Sequence, residues 1–233
     1  MAAVGRPDAL RAFPALIPFL VRPESRSASR PAATTGLAAL DALLGGGFPR
    51  GRISEIVGPR SSGRTSLLLG SLASATAHGA LVALVDVTDG LDPASAQALG
   101  VDLGRLLWVQ CGGRLVTAWQ ATDVIVRGGG FDVVGVDLGD LPPWTLARVP
   151  AAVLVRLQRA VEATPAALLV AGLRRVAGSL AAAVVALQPG PVRWASGGPG
   201  LLAGLETEVR LIRSRERAPG TAVRVAWGGA RDA

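Results

Sequence analysis

Gly58-Pro59-Arg60-Ser61-Ser62-Gly63-Arg64-Thr65-Ser66 is the stretch that decides the fold. Its spacing is that of the phosphate-binding loop G-x-x-x-x-G-K-[ST], whose backbone N–H groups cradle phosphates while an ammonium reaches the β- and γ-oxygens. Gly58, Ser61, Ser62, Gly63, Thr65 and Ser66 keep that frame, and Arg64 takes the lysine position. A guanidinium is planar, wide and weakly hydrated, so it is no free replacement for a compact ammonium in a tight loop. The flanks are those the loop requires. Arg52–Val57 alternates as a strand running into Gly58, and Thr65–Ala77 follows as a helix with Leu67, Leu68 and Leu72 inward.

Downstream, Leu81–Val87, Leu106–Val109, Phe131–Asp137 and Ala167–Ala171 read as apolar strands. Helices over Asp92–Leu99 (capped by Asp92), Leu115–Arg127 and Leu146–Ala163 separate them. This alternation predicts an α/β fold with a mainly parallel, twisted sheet covered on both faces. Ala182–Gln188, Val209–Arg213 and Thr221–Trp227 then follow as strands without long helices between them. The turn signal Ala218-Pro219-Gly220 predicts that the last two form a C-terminal antiparallel hairpin.

Upstream of the loop, Thr35 is placed to cap a helix over Gly36–Leu44, which ends in Gly45-Gly46-Gly47. Residues 22–35 read as a flexible linker, giving an arm and linker over 1–33 and one core domain over 34–233. Within the arm, Phe13, Leu16, Ile17, Phe19 and Leu20 form an apolar cluster that must be covered, by its own domain or by another chain.

The net charge of +7 is unevenly spread: residues 61–147 carry 4 Arg and 8 Asp, whereas residues 148–233 carry 12 Arg and 5 acids. A basic final third suits DNA or an acidic protein surface as partner, or is a solvated face. Lysine is absent altogether, so Arg64 is also what a chain-wide replacement of lysine would leave. A single Cys111 and a single His78 exclude a disulfide framework and argue against a metal site. No segment approaches the roughly 18 apolar residues of a membrane span. Pro14 and Pro18 interrupt the one stretch, Phe13–Val21, that imitates a secretory leader, so a cytoplasmic location without membrane contact is expected.

Asp137 ends an apolar strand, where loops of this kind place the acid that holds Mg²⁺ through water, with the Thr65 hydroxyl as the matching ligand. Hydrolysis further needs a carboxylate that positions the attacking water. Asp86 and Asp89 are the candidates, whereas Asp92 is explained as a helix cap.

Thr34–Asp41, Gly51–Thr65 and Leu91–Asp102 together resemble bacterial RecA, and the similarity runs from about residue 34 to 227. Within that superfamily the chain is most similar to ImuA-type proteins, RecA-like partners of an inactive Y-family polymerase (ImuB) and an error-prone C-family polymerase. The resemblance implies a RecA-type core, a role in SOS-type damage-induced mutagenesis by translesion DNA synthesis, and a nucleoid-associated place in the cytoplasm. RecA and those polymerase subunits are the implied partners, with at most a weak DNA contact.

Departures from RecA sharpen this. Thr88 occupies the position of the glutamate that activates water, and Leu173 that of the glutamine that senses the γ-phosphate. Loss of the carboxylate alone should cost on the order of 10²–10⁴ in rate. The second DNA-binding loop shrinks to Arg174–Ser179, the first to Leu141–Val149, and RecA's C-terminal domain has no expected counterpart. Arg213 and Arg215 match the two basic residues by which RecA neighbours contact ATP across the subunit boundary; a strand face with Arg heads in water is the plainer account. The expected function is therefore that of a degenerate adaptor with no catalytic residues, at most a weak ATPase. It requires no cofactor and binds ATP with Mg²⁺ weakly at best. The alternatives are a DNA-stimulated ATPase using Asp86 or Asp89, and an Arg-rich DNA-binding module with Trp194 and Trp227 beside Arg193 and Arg224.

Overall fold

The computed structural model describes residues 31–194, 202–215 and 217–228. Its strands are β1 (Arg52–Val57), β2 (Val82–Asp86), β3 (Leu106–Gln110), β4 (Val133–Asp137), β5 (Ala167–Gly172), β6 (Ala181–Trp194), β7 (Leu202–Ser214) and β8 (Ala222–Trp227). They form an eight-stranded sheet in the order β3-β2-β4-β5-β1-β6-β7-β8. The first six in that order run parallel, and β7 and β8 are antiparallel additions. The expected class holds: an α/β fold with a mainly parallel sheet and a C-terminal antiparallel hairpin.

The helices are α1 (Ala38–Leu44), α2 (Arg64–Ala77), α3 (Pro93–Ala98), α4 (Leu115–Gly128), α5 (Pro143–Leu146) and α6 (Ala151–Glu162). On one face of the sheet, Leu40 and Leu44 of α1 and Leu67, Leu68 and Leu72 of α2 pack with Leu84, Leu169, Val185 and Val209. On the other, Trp119 and Ile125 of α4 and Leu154, Leu157 and Val161 of α6 pack with Val85, Val134, Val136 and Leu168. Strands β2 and β5 are buried throughout, as their unbroken apolar runs require of a sheet covered on both sides. At the amino edge, Arg50 grips both carboxylate oxygens of Asp132 at 2.7–2.8 Å and donates to the carbonyls of Pro31, Asp132 and Pro165. That fork ties together the entries to β1, β4 and β5.

Four expectations change. Helix α1 starts at Ala38 rather than Gly36, because Gly36 takes φ 81° and Thr35 bonds to Leu37 instead of capping. The single helix expected over Leu146–Ala163 is two, since Pro150 lacks the donor that a helix interior needs and becomes the cap of α6. Strands β6 and β7 extend well past Gln188 and before Val209, pairing through a register irregularity at Pro189–Val192. Finally, the end of the expected linker is folded: Ala33 pairs with Phe48, and Ala33 and Thr35 are buried.

The turn after β5 is fixed by one buried acid. Glu55, 1% exposed in β1, accepts from the N–H groups of Val176 (2.5 Å) and Ala177 (2.8 Å) and from Arg175 Nε (3.4 Å). The short segment between β5 and β6 is thereby clamped to the sheet. Replacing Glu55 with alanine leaves two N–H groups and a guanidinium without their acceptor. The expected loss is about 2–4 kcal/mol in urea unfolding, against about 0.5 kcal/mol for an exposed control such as Gln120→Ala.

Candidate functional site

Strand β1 delivers Gly58 to the carboxyl edge of the sheet, where ligands of parallel α/β folds bind. Gly58 has no room for a side chain: a Cβ there would lie 2.6 Å from the Leu187 carbonyl oxygen and from Ser62 Oγ. Ser61 (φ 57°) and Gly63 (φ 85°) adopt left-handed conformations that fold the chain into a nest and open α2. Among the described residues, the N–H groups of Ser61, Ser62 and Gly63 find no accepting oxygen. Ser62 is 1% exposed, and its buried hydroxyl is unpartnered as well. Unmet donors beside the positive end of a 14-residue helix make a binding site for an anion.

The loop is held from the far end of the chain. Thr207 Oγ1 in β7 donates to the Ser62 carbonyl at 3.0 Å and accepts the indole N–H of Trp227 in β8 at 2.9 Å. The Trp227 ring lies where a side chain on Gly63 would go, with its Nε1 2.5 Å from the ideal Cβ position. Trp227, left open in the sequence to stacking on bases, is thus occupied within the fold. Thr207 gave no signal there, because a threonine in a strand is ordinary.

Arg64 is 8% exposed and turned back across the loop: Nη1 donates to the Gly58 carbonyl at 2.8 Å and Nη2 to Asp140 Oδ1 at 2.8 Å. Thr65 Oγ1 donates to Asp137 Oδ2 at 3.3 Å, and Asp137 Oδ1 accepts from Gly139 N–H at 2.8 Å. Thr65 and Asp137 are therefore adjacent, the pairing that would hold Mg²⁺ with a nucleotide. Beside them opens a cleft of about 370 Å³ lined by Arg64, Thr65, Asp86, Thr88, Asp137 and Asp140. Burial raises the Asp137 pKa above the ordinary carboxylate value, and the negative charge of Asp86, its register partner across β2 and β4, adds to this. The Gly139, Arg64 and Thr65 contacts pull the other way.

The two acids considered for activating water are already engaged. Asp86, 2% exposed, accepts from Leu91 N–H (2.8 Å) and the Trp108 indole (3.3 Å). Asp89, at φ 56°, accepts from Cys111 N–H (2.8 Å) and Gly112 N–H (3.0 Å). Both act as loop anchors. Arg213 and Arg215 are not brought to the loop: Arg213 pairs with Val184, and Arg215 N–H reaches the Ala182 carbonyl near the start of β6. Val184 is level with Glu55 in the middle of β1 and Ala182 lies toward its amino end, whereas the loop lies beyond its carboxyl end. Neither arginine forms an ion pair among the described residues. The arm residues Phe13, Leu16, Ile17, Phe19 and Leu20 lie outside the described residues. Among the described residues, no cluster of His, Cys, Asp and Glu suits a metal ion, and no helix is long and apolar enough to cross a membrane.

The sequence model of the RecA N-terminal domain matches residues 22–187. The chain belongs to the RecA N-terminal domain family. It is 50% identical to Protein RecA of Symbiobacterium thermophilum over 104 residues, which cover 44% of this chain and 29% of that protein. To Protein RecA of Methylococcus capsulatus it is 49% identical over 104 residues, covering 44% of this chain and 30% of that one. This RecA-family chain thus spans less than a third of the length of these curated relatives. The crystal structure of the RadB recombinase superposes with a TM-score of 0.62 at 20% identity, over 82% of this chain and 94% of that one, a likeness of fold.

The raised pKa of Asp137 has a stability consequence. A carboxyl whose folded pKa lies above its unfolded value stabilises the fold fully below the unfolded pKa, and that contribution is lost as pH rises through the folded value. At neutral pH the ionised Asp137 is therefore a net cost to the ligand-free RecA-family core. Asp137→Asn should raise the thermal midpoint in EDTA at pH 7.5 by about 2–4 °C, equivalent to about 1 kcal/mol, with the gain shrinking toward pH 4.

Proposed function

We propose that this RecA-family chain is a catalytically degenerate adaptor of the ImuA type. It would serve SOS-type damage-induced mutagenesis by binding RecA, or the ImuB-like and C-family polymerase subunits of translesion synthesis, in the nucleoid-associated cytoplasm. The observation that carries this reading is the imbalance of the site. The donors of a phosphate cradle stand ready in Ser61–Gly63, with Thr65 and Asp137 side by side, while the resemblance to RecA puts Thr88 where the water-activating carboxylate would stand. Threonine does not accept a proton near neutral pH, and Asp86 and Asp89 are engaged elsewhere.

Two further features support contact with proteins over strand exchange on DNA. The Glu55 clamp holds the segment that in RecA forms the long second DNA loop, leaving little reach for a strand. Arg213 stands level with the middle of β1 and Arg215 toward its amino end, both two strands away from β1, an arrangement that suits contact with a neighbour more than with this chain's own loop. In this reading ATP with Mg²⁺ is bound weakly, as a structural ligand.

Steady-state ATP turnover of the purified chain, with and without single-stranded DNA, tests the proposal. The expected rate lies at least about 10²-fold below that of a RecA control. A turnover equal to RecA's would refute the adaptor reading. Arg213→Ala combined with Arg215→Ala should weaken pull-down of RecA about tenfold while lowering the thermal midpoint by no more than about 2 °C, since neither arginine makes an ion pair among the described residues.

A further inference from the structure

The loop's cations already have an anion. Asp140 sits three residues beyond Asp137, in the connection from β4 to α5, and its two oxygens divide between the two arginines of the loop. Oδ1 lies 2.8 Å from Arg64 Nη2, and Oδ2 lies 2.6 Å from Arg60 Nε. Arg60 is 78% exposed, so its half of the contact is a weak, screened surface pair. The Arg64 side chain is 9% exposed, and its half is a charge-assisted bond at the mouth of the cradle.

The presentation of Asp140 is over-determined. Gly139 turns the chain at φ 57°, its N–H fixed by Asp137, and a Cβ there would approach Thr88 Oγ1 to 2.6 Å. The turn that aims Asp140 at the loop is thus tied to Asp137, the acid expected to hold the metal, and packed against Thr88. Arginine is suited to the other end of this contact. One planar fork reaches the Gly58 carbonyl and the Asp140 carboxylate together, which a point-charge ammonium does less well.

We propose that Asp140 is a tethered counter-anion that occupies Arg64 in place of a phosphate, so that the cradle is self-latched and a magnesium nucleotide binds only by displacing it. The proposal rests on reading the loop as a nucleotide cradle. An incoming polyphosphate meets Asp137 and Asp140 across the cleft, and Arg64 can neutralise it only by leaving Asp140. Because the competitor belongs to the same chain, its effective concentration is high and independent of dilution. Latch and ligand are mutually exclusive, so affinity for nucleotide is set by the strength of the Arg64–Asp140 bond.

A double-mutant cycle in the full chain tests this, with Mg·ADP as the probe and calorimetric titration as the readout. Asp140→Asn should bind Mg·ADP about 10- to 100-fold more tightly than the wild type. That gain should vanish in an Arg64→Ala background, because the latch acts through Arg64. Equal tightening with and without Arg64 would overturn the latch and leave plain charge repulsion; unchanged affinity in Asp140→Asn would overturn it too, with the nucleotide reading intact. No binding by any of the four proteins at millimolar Mg·ADP would overturn both readings. Where Arg64→Ala does not fold, Arg64→Gln, which keeps a donor for the Gly58 carbonyl without the charge, completes the cycle.

Discussion

The turn through Ser61, Ser62 and Gly63 leaves three backbone N–H groups without an accepting oxygen, next to a buried serine hydroxyl in the same condition. Unmet donors oppose folding, so the surrounding structure must hold them in place by other means. It does so from three sides. β1 enters through a glycine with no room for a side chain, α2 leaves directly behind Gly63, and the Trp227–Thr207–Ser62 chain of hydrogen bonds fixes the loop from the antiparallel end of the sheet. The rest of the molecule can be understood as the scaffold that keeps this turn open.

What surrounds the turn is fitted to hold an anion. The groups that hold are present: free donors, a threonine hydroxyl and an adjacent aspartate. The two acids considered for activating water are instead bound to backbone N–H groups, Asp86 at Leu91 and Asp89 at Cys111 and Gly112. Such bonds fix each carboxylate in place. The same economy appears at Glu55, where an acid fixes the segment that a longer loop would otherwise leave free.

Much of this was legible in the chain because local pattern and tertiary role agree. The strand period of residues 52–57, the glycine spacing and the leucines of α2 all point to one supersecondary unit, and apolar runs such as Ala167–Ala171 can only be interior strands. Legibility failed where tertiary contacts override local signals. Pro189-Gly190-Pro191 reads as a strand breaker, yet β6 continues through it by shifting register against β7. Pro150 interrupts a continuous apolar period whose phase resumes after it, so the break in the helix was hidden. Asp140, one acid in a loop, and Thr207, one threonine in a strand, acquire meaning only from partners some 76 and 145 residues away in the chain.

The grip of Trp227 on the loop also bears on the order in which the molecule comes into being. A ribosome delivers β1, the loop and α2 early, but the strands that carry Thr207 and Trp227 emerge last among the described residues. Contacts of such long sequence separation form late, after the entropy of closing the intervening chain has been overcome. The nascent parallel sheet thus exists for a time with its cradle unbraced. Emergence of β7 and β8, rather than appearance of the motif, marks the moment at which the site acquires its final shape.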